Sequence, residues 1–542
     1  MKPERRGLIL VVAVLLISAV LGGIYGPNVK ATTSSADNYQ TSVREFTQAL
    51  DVVQSNYAEP VDVDKSVYQG AIPGMLRVLD PHSNFFDAKQ FALLREDQRG
   101  RYYGVGMTVA PHENHTMVMA PYIGAPAFTA GIRPGDVIMK VDDKSTEGLN
   151  TTEVADMLKG PRGTNVKITI SREGFPDPLV FNITRDEIPR RSVVLAYRIK
   201  PGIGYIRFPG PFNETTDREI ADAMHELDAS TLDGLILDMR NNPGGLLMEA
   251  VAVSDMFLDK GQLIVSHHGR NSPTRDYTAV RGNRGDTVPL VIVVNNNSAS
   301  ATEIVSGAVQ DHDRGLIVGE TTFGKGLVQT VTGLSENTGL ALTTARYYTP
   351  SGRLIQRDYK SVSLYEYHYE RKVPEHPTEI KLTDSGRQVS GGGGITPDVV
   401  VAAPKLNKFQ TDMFRNDVLF GAETGIGGFT RHYLGAKPTI TKDFEVDDTI
   451  MKSFRDYLAA HNVRYTEPEL AENMDWLKRK IKQEVFMSTF GEEEGFKVLL
   501  AADPQVEKAA ESIPQARALY QNARKIVAQR TGGATTSALE QP

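Results

Sequence analysis

Cysteine is absent from the sequence, which excludes disulfide bonds and thiolate metal sites. An excess of positive charge is absent too, since 60 lysine and arginine residues face 67 aspartate and glutamate residues and the formal net charge is −7. This balance gives no reason to expect a nucleic-acid partner. The length of 542 residues is too great for one domain, so several are expected.

The N-terminus carries the strongest compositional signal. Lys2, Arg5 and Arg6 precede an uncharged apolar run over residues 7–25, and 19 helical residues span roughly 28 Å, close to the hydrocarbon thickness of a bilayer. Basic residues on this side predict a cytoplasmic N-terminus. A signal peptide cleaved near Ala31 is the alternative, but the run is long for one, which favours an uncleaved anchor.

A helix follows a short polar linker. Apolar residues alternate at spacings of three and four and form one stripe, made of Val43, Phe46, Leu50, Val53 and Tyr57. We expect this stripe to pack within its own domain; a seam with a second copy is the alternative.

Short strands and turns occupy residues 100–185. Tyr103-Gly104-Val105-Gly106-Met107 opens a strand with two glycines, and a helix is predicted over 151–158. The glycines would let backbone amides close on a carboxylate, and the strand edge could pair with an extended peptide. A lone G-x-G more often marks only a bulge. From Asp186 to about Ala402, apolar runs alternate with helical patterns, which is typical of an α/β layered core.

Three kinds of chemistry compete for the stretch from Asn295 to Gln329. A nucleotide-binding loop is suggested by G-x-x-x-x-G-K over 319–325, but Gly326 stands where Ser or Thr must hold Mg²⁺, and a strand follows instead of a helix. A histidine base is disfavoured as well. His312 lies twelve residues, about 18 Å, along the helix that Ser300 begins, and His82 belongs to a local D-P-H turn.

A Ser-Lys pair is the third possibility, because a buried neutral lysine can accept a proton from a serine hydroxyl. Lys325 lies between two glycines, and Gln329 shares its strand face and is placed to hydrogen-bond the amine. Ser300 also fits an S-x-x-E capping box with Glu303, so it can be read as a helix N-cap.

The surroundings favour the nucleophile interpretation of that serine. A helix N-terminus offers amides for an oxyanion, and Gly244-Gly245 ends a strand in a turn that could offer more. An ordinary strand-to-helix turn is the alternative for these glycines. Asp238 and Arg240, just before them, are interpreted as a structural ion pair.

The chain resembles the carboxyl-terminal processing peptidases, or tail-specific proteases, from about Phe46 to Val401. The shared motifs, in the family's order, are LDPHS, YGVGM, AGIRPGD, LDMRNNPGG, SASATEIVSGAVQDHDR, TFGKGLVQ and YYTPSGRLIQ. Within this resemblance the YGVGM segment belongs to a PDZ domain that binds peptide C-termini through Gly104, Val105, Gly106 and Met107.

The family's catalytic pattern is a Ser/Lys dyad assisted by a glutamine, with the lysine 25 and the glutamine 29 residues after the serine. Both spacings, counted back from Lys325 and Gln329, identify Ser300, and Ser298 fits neither. The resemblance implies an oxyanion hole formed by Ala301 with Gly244 or Gly245. It implies no metal and no cofactor.

Two departures from the family's pattern are visible. Thr302 replaces the serine of S-A-S-A-S-E, and residues 358–382 form an insertion. The expected fold class is multidomain α+β. Its predicted segments are an N-terminal anchor or signal segment (1–30), N-terminal helices (37–98), a PDZ-like β domain (100–185), an α/β protease core (186–402), a C-terminal helical extension (403–530) and a disordered tail (531–542).

The implied activity is that of an exported serine endopeptidase on the extracytoplasmic side of the membrane, anchored by residues 7–25. Its partners would be protein or peptide substrates with exposed C-termini and the membrane. A homo-oligomer or an activating partner is left open. The alternative is a peptide-binding PDZ scaffold with a degenerate protease core.

Overall fold

The computed structural model describes residues 34–537, apart from 113, 173, 371–378, 416–425 and 436–438. The anchor expected over residues 7–25 therefore lies outside the described residues. Within the described ranges, no helix is both long and apolar enough to cross a membrane. Contacts divide the chain into residues 1–75 and 76–542, and the two units are described separately.

The first unit is helical where it is described. Its helices are α1 (Ser34–Asn56), α2 (Val63–Lys65), a π-helical turn (Ser66–Ala71) and α3 (Ile72–Arg77), the last of which reaches the unit boundary. Four of the five residues of the stripe predicted on α1 are exposed, Val43 at 46%, Phe46 at 48%, Val53 at 48% and Tyr57 at 66%, while Leu50 is partly buried. The expectation that the stripe packs within its own domain is wrong, because these four side chains face solvent.

The second unit begins with a turn, a strand and a helix that lead into the PDZ-like region, β1 (Asn84–Phe86) and α4 (Ala88–Arg99). The elements of that region are β2 (Arg101–Gly104), β3 (Met107–His112), β4 (His115–Pro121), α5 (Pro126–Ala130), β5 (Val137–Val141), β6 (Lys144–Ser145), α6 (Thr151–Leu158), β7 (Asn165–Ser171), β8 (Leu179–Thr184) and β9 (Asp186–Pro189). The predicted helix over 151–158 is confirmed.

The PDZ-like region folds around one antiparallel sheet of order β3-β4-β5-β7-β8, with β6 paired to β5, while β2 and β9 form a separate pair. Alternate residues of β7 point inward, and Val166, Ile168 and Ile170 join a core with Val154 of α6. Helix α6 begins at a capping box, in which Asn150 and Glu153 exchange hydrogen bonds. The helix lies beside the edge strand β3.

The protease core contains two sheets. Its elements are β10 (Leu195–Lys200), β11 (Ile203–Arg207), α7 (Thr216–Glu226), a 3₁₀ turn (Ala229–Thr231), β12 (Gly234–Asp238), α8 (Leu247–Asp255), β13 (Leu263–Gly269), β14 (Ser272–Thr278), β15 (Leu290–Val294), α9 (Ala301–Asp311), β16 (Gly315–Gly319), β17 (Leu327–Gly333), a 3₁₀ turn (Ser335–Asn337), β18 (Gly339–Tyr348), a π-helical turn (Glu366–Glu370), β19 (Glu379–Leu382), β20 (Gln388–Gly391) and β21 (Val399–Val400).

The first sheet has the order β10-β11-β12-β15-β16-β21, and all its pairs are parallel except β10 with β11. Every residue of β12, β15 and β16 is buried. Such strands read as uninterrupted apolar runs because both faces of a parallel sheet are covered. This confirms the predicted α/β core.

The second sheet is antiparallel and joins distant parts of the chain. Strand β18 pairs with β13, with β17 and with β1, each time antiparallel. The pairing of Asn84–Phe86 with residues 339–341 brings the turn before β1 next to β17. Strands β19 and β20 pair only with each other among the described strands, within and just after the insertion.

The C-terminal region is helical, as predicted. Its helices are α10 (Lys408–Arg415), α11 (Ile426–Gly435), α12 (Asp448–Ala460), α13 (Glu467–Glu472), α14 (Met474–Phe490), α15 (Glu492–Leu500), α16 (Pro504–Glu511) and α17 (Ile513–Ser537). Helix α17 continues to Ser537, seven residues into the tail expected to be disordered, so that expectation is wrong for 531–537.

The helices at the end of the chain complete the protease core. One face of the parallel sheet, including Leu235 and Leu237, packs with α8 and α9. The opposite face, including Ile236, packs with Val506 of α16 and Ile513 of α17. Successive residues of a strand point to opposite faces of the sheet, so Leu235 and Leu237 make the first set of contacts and Ile236, between them, makes the second. The extension is therefore part of the layered core, whereas α10 to α14 build their own cluster.

Candidate active site

Ser300 lies between β15 and α9 in a backbone conformation that non-glycine residues rarely adopt, with φ 54° and ψ −111°. It occupies the N-cap of α9, and its amide donates to Oε2 of Glu303 at 2.7 Å. The glutamate half of the predicted capping box is therefore present, while the Glu303 amide donates to the main-chain carbonyl of Ser300 at 2.8 Å. Strain of this kind persists only where surrounding contacts impose it, and such positions cluster at functional sites.

Ser298 has a different environment. Its side chain is fully buried, its Oγ donates to the Met239 carbonyl at 2.9 Å, and it accepts from the Asn295 amide at 3.0 Å. These bonds hold the loop before α9 to the loop after β12. Ser300 is partly exposed, so its hydroxyl is the more accessible of the two.

Lys325 lies just before β17, and its Nζ donates to Oε1 of Gln329 at 3.0 Å, the hydrogen bond expected from the sequence. Burial lowers the pKa of the lysine, and the nearby Glu303 and Asp80 carboxylates only partly oppose that shift. The side-chain amide of Gln329 donates in turn to the main-chain carbonyl of His82. The amine is therefore oriented and biased toward its neutral form.

Glu303 joins the segment of the serine to the segment of the lysine. Its Oε2 accepts from the amides of Ser300 at 2.7 Å and Lys325 at 2.9 Å. Its Oε1 accepts from the Gly324 amide at 2.7 Å and the Thr322 hydroxyl at 2.5 Å. The capping-box motif identified this carboxylate, but the sequence did not reveal that it also binds the Gly-Lys-Gly loop.

Tyr347 makes a second connection that sequence reasoning missed. Its hydroxyl lies 2.6 Å from the carbonyl oxygen of Lys325 and 3.1 Å from that of Ser300. The ring belongs to β18 and is 1% exposed. It is the first residue of the YYTPSGRLIQ motif, but that motif gave no indication of this contact. The two segments are thus held together by buried groups on both their amide and carbonyl sides.

Gly244 and Gly245 follow β12 in a turn that approaches Ser300. A Cβ atom on Gly244 would lie 2.6 Å from Cβ of Ser300 and 2.8 Å from the amide nitrogen of Ala301, and its φ is +94°. Only glycine allows this approach. The Gly244 amide donates to Oδ1 of Asn242 at 2.9 Å, and its carbonyl accepts from Phe212.

Asp238 and Arg240 form the predicted ion pair, at 2.6 Å between Oδ2 and Nη2. Burial by itself raises the pKa of Asp238, but Arg240 and the other partners lower it to about 2. The arginine also reaches α16 and the residue before it, donating to Asp503 and Gln505 at 2.8 Å each. The turn that bears the two glycines is therefore attached to the C-terminal helices.

The two histidines considered from the sequence have other partners. His312, at the far end of α9 from Ser300, lies 2.7 Å from both Oδ2 of Asp384 and the carbonyl of Leu263. His82 lies in the expected local turn, because Asp80 accepts from its amide at 2.8 Å.

The sequence did not predict, however, that His82 contacts the environment of the lysine. Its carbonyl holds Gln329. Burial, followed by the charge of Lys325, lowers the pKa of its imidazole to about 3. The ring is therefore neutral at pH 7, and Oη of Tyr367 lies 2.8 Å from its Nε2. The available signal was the LDPHS motif, which contains His82 and belongs to the family pattern. The sequence did not show which residues His82 contacts.

Gly104, Val105, Gly106 and Met107 lie where β2 gives way to β3. Among the described strands, β3 pairs on one side only, with β4, and α6 lies beside it. A Cβ on Gly106 would lie 2.5 Å from Cβ of Ala125, and its φ is +76°. The glycine thus permits a tight turn next to an edge strand, an arrangement that can receive an extended peptide.

Comparisons with known proteins cover most of this architecture. The description "Peptidase family S41" matches residues 202–361, "PDZ domain" matches 117–172, and "Activating protease CtpB N-terminal domain" matches 25–90. A "Carboxy-terminal-processing protease" of Bartonella bacilliformis is 36% identical over 383 residues, covering 70% of this chain and 79% of that protein.

A "Carboxy-terminal processing protease CtpA" of Bacillus subtilis is 33% identical over 350 residues, covering 64% of this chain and 74% of that protein. Among solved structures, a "photosystem II D1 C-terminal processing protease" has 30% identity and a TM-score of 0.34, covering 66% of this chain and 92% of that one.

Proposed function

The chain belongs to the carboxy-terminal processing proteases of peptidase family S41, and on that premise we propose that it is a Ser/Lys-dyad endopeptidase in which Ser300 is the nucleophile and Lys325 the base. The observation that carries the proposal is the shared Oε2 atom of Glu303, which accepts from the amides of both residues. This single acceptor fixes two segments that are otherwise 25 residues apart in sequence.

The reaction we propose starts from the neutral form of the lysine, which burial favours by lowering its pKa. Neutral Lys325 takes the proton of the Ser300 hydroxyl as its oxygen attacks the scissile carbonyl. The lysine then returns that proton to the leaving amine, which departs with the new C-terminal fragment and leaves an acyl-serine. Water adds to this ester and loses a proton to Lys325. The lysine returns that proton to the Ser300 oxygen as the acyl C–O bond breaks, and the N-terminal fragment leaves as a carboxylic acid. Gln329 aims the amine throughout.

The oxyanion of the tetrahedral intermediate needs amide donors. Ala301 is the first residue of α9, so its amide has no carbonyl one turn earlier in that helix. The amide of Gly244 is engaged by Asn242, which favours Gly245 as the second donor. Backbone amides at a helix N-terminus stabilise developing negative charge without reorganising.

Substrate recognition is proposed to occur at the PDZ domain. The open edge of β3 would pair with an extended C-terminal segment, and the amides of the turn from Gly104 to Met107 would bind its carboxylate. The substrates would be proteins or peptides with exposed C-termini. This step would present a chain end to the protease core.

Export, anchoring and self-association extend the proposal. The basic N-terminus and the apolar run over 7–25 support an anchored protein whose protease core is extracytoplasmic. The exposed stripe on α1 supports a homo-oligomer, because heptad-like apolar spacing on one helix face suits a second copy.

The test is cleavage of an unfolded protein with an apolar C-terminus by the wild type and by Ser300→Ala, Ser298→Ala and Lys325→Ala. We expect Ser300→Ala and Lys325→Ala to be inactive and Ser298→Ala to cleave. Activity in Ser300→Ala would overturn the assignment of the nucleophile. Binding of the C-terminal peptide without cleavage by any variant, including the wild type, would favour the scaffold alternative.

A further inference from the structure

Tyr367, within the insertion, is buried against the region of the catalytic lysine. It is 2% exposed, whereas Tyr365, just before the same π-helical turn, and Tyr369, on it, are 65% and 75% exposed. An insertion that served only as a surface loop would not require one of its four tyrosines to be fully enclosed. The contrast therefore points to a specific contact of this side chain.

The backbone and ring of Tyr367 are both fixed by the core. Arg357 Nη2 donates to the Tyr367 carbonyl at 2.6 Å, and the guanidinium lies 4.7 Å from the centroid of its ring. The same guanidinium lies 4.4 Å from the ring of Phe323, beside the Gly-Lys-Gly loop. The Arg357 side chain thus contacts both the tyrosine and Phe323, which lies beside the loop that bears the lysine.

The direction of the tyrosine hydrogen bond can be read from its neighbours. Oε1 of Gln356 accepts from the Gly326 amide at 2.8 Å, so Nε2 of Gln356 is the atom 3.2 Å from Oη of Tyr367. An amide nitrogen can only donate, so the tyrosine oxygen accepts there. Its own proton is left for Nε2 of His82, 2.8 Å away.

This arrangement extends to the lysine through two residues, His82 and Gln329. The tyrosine holds the ring of His82, the carbonyl of His82 accepts from Nε2 of Gln329, and Oε1 of Gln329 accepts from Nζ of Lys325. We propose that Tyr367 is a positioning residue through which the insertion sets the geometry of the catalytic lysine. The inference rests on the proposed dyad.

The experiment compares the full-length wild type with Tyr367→Phe and with the matched controls Tyr365→Phe and Tyr369→Phe. Each change removes one hydroxyl, and only the first removes the bond to His82. We expect kcat to fall about tenfold in Tyr367→Phe, as for the loss of roughly one hydrogen bond, with KM within about twofold. Both controls should keep wild-type kcat and KM.

A second measurement observes the hydrogen bond to His82 directly and does not depend on a loss of activity. In wild-type protein labelled with ¹⁵N-histidine, the resonance assigned to His82 by its loss in His82→Gln should show an unprotonated, hydrogen-bonded Nε2. In Tyr367→Phe the Nε2 shift should move toward that of an imidazole nitrogen without a donor. A protonated Nε2 in the wild type would contradict the proposal even if a variant folded poorly.

Two failures are distinguishable. If Ser300→Ala retains activity, the proposed dyad is wrong and this inference falls with it. If Ser300→Ala is inactive while Tyr367→Phe has wild-type kcat, the dyad stands and the positioning role of Tyr367 is wrong. A rise in KM with unchanged kcat would also overturn it, because it would indicate a contact with substrate.

Discussion

The side-chain amide of Gln329 donates to the main-chain carbonyl of His82, which lies 247 positions earlier in the chain. Because the nitrogen is used in that bond, the oxygen of Gln329 must face Lys325, whose Nζ donates to it at 3.0 Å. The orientation of the amine is thus set by a turn that precedes the PDZ domain in sequence. Pairing of β1 with β18 brings the turn there.

Replacing Gln329 with Glu tests this orientation and the protonation state together. A carboxylate about 3 Å from Nζ favours the charged lysine and raises its pKa, typically by about one unit or more. We expect the acidic limb of kcat/KM to move to higher pH and activity at pH 7 to fall. The measurement is kcat/KM against pH with a peptide substrate.

Gln329→Met is the control, since it removes the hydrogen bond without adding charge. It should lower kcat and leave the acidic limb without an upward shift. An unmoved limb in Gln329→Glu would mean that Lys325 is not the titrating base.

The wild-type enzyme should itself lose activity as pH falls through the pKa of Lys325. Burial lowers that pKa from the ordinary value of 10.5, so the neutral base is available at a lower pH than for a free lysine. Activity is therefore present above the lowered pKa and lost below it. The limb should persist in His82→Gln, because the imidazole pKa of about 3 lies too low to produce it. Disappearance of the limb in that variant would assign it to the histidine instead.

Gly244→Ala should abolish catalysis through a steric effect. Its Cβ would lie 2.6 Å from Cβ of Ser300, so the nucleophile or the turn must move. Displacements of about 1 Å cost on the order of a hundredfold in rate, and we expect at least that loss in kcat. Gly261→Ala is the control: it shares a positive φ of +90°, but its Cβ would meet nothing within 4 Å. Equal losses of kcat in the two variants would mean that strain at a positive φ, and not the clash with Ser300, causes the effect.

Phe46→Glu tests the exposed stripe of α1. A charge among Val43, Phe46 and Val53, each 46–48% exposed, should prevent a helix seam with a second copy. We expect light scattering of the protein lacking residues 1–30 to show a dimer or larger species for the wild type and a monomer for the variant. Gln48→Glu adds the same charge outside the stripe and should leave the mass unchanged. A monomeric wild type would contradict the proposed self-association.

Local sequence patterns predicted the elements of this protein well, and long-range contacts poorly. The runs that became β12, β15 and β16 are uniformly apolar, and the spacing of Lys325 and Gln329 from Ser300 was readable through the family resemblance. The role of the His82 carbonyl was not readable, because a main-chain acceptor carries no residue-type signal. The apolar face of a helix shows that the helix packs against something, but it does not identify the surface. The position of α16 and α17 on the core sheet was therefore missed.

That position leads to a prediction about stability. Ile513 at the start of α17 is 4% exposed and packs onto the sheet, and its Cδ1 lies 2.5 Å from where a Cβ on Gly234 would be. Gly234 begins β12, the strand that ends at Asp238, just before the Gly-Gly turn. Ile513→Ala should lower the free energy of unfolding by about 2–5 kcal/mol, since it leaves a cavity between helix and sheet.

The control for this change is Asn522→Ala on the same helix, whose side chain is exposed and whose loss should change stability by less than about 0.5 kcal/mol. The measurement is denaturant unfolding of both variants beside the wild type. If the C-terminal helices formed an independent domain, Ile513→Ala would unfold them alone and the protease core would keep its own transition. A single shifted transition is expected instead, because Val506 and Ile513 share one apolar cluster with Ile236 of β12.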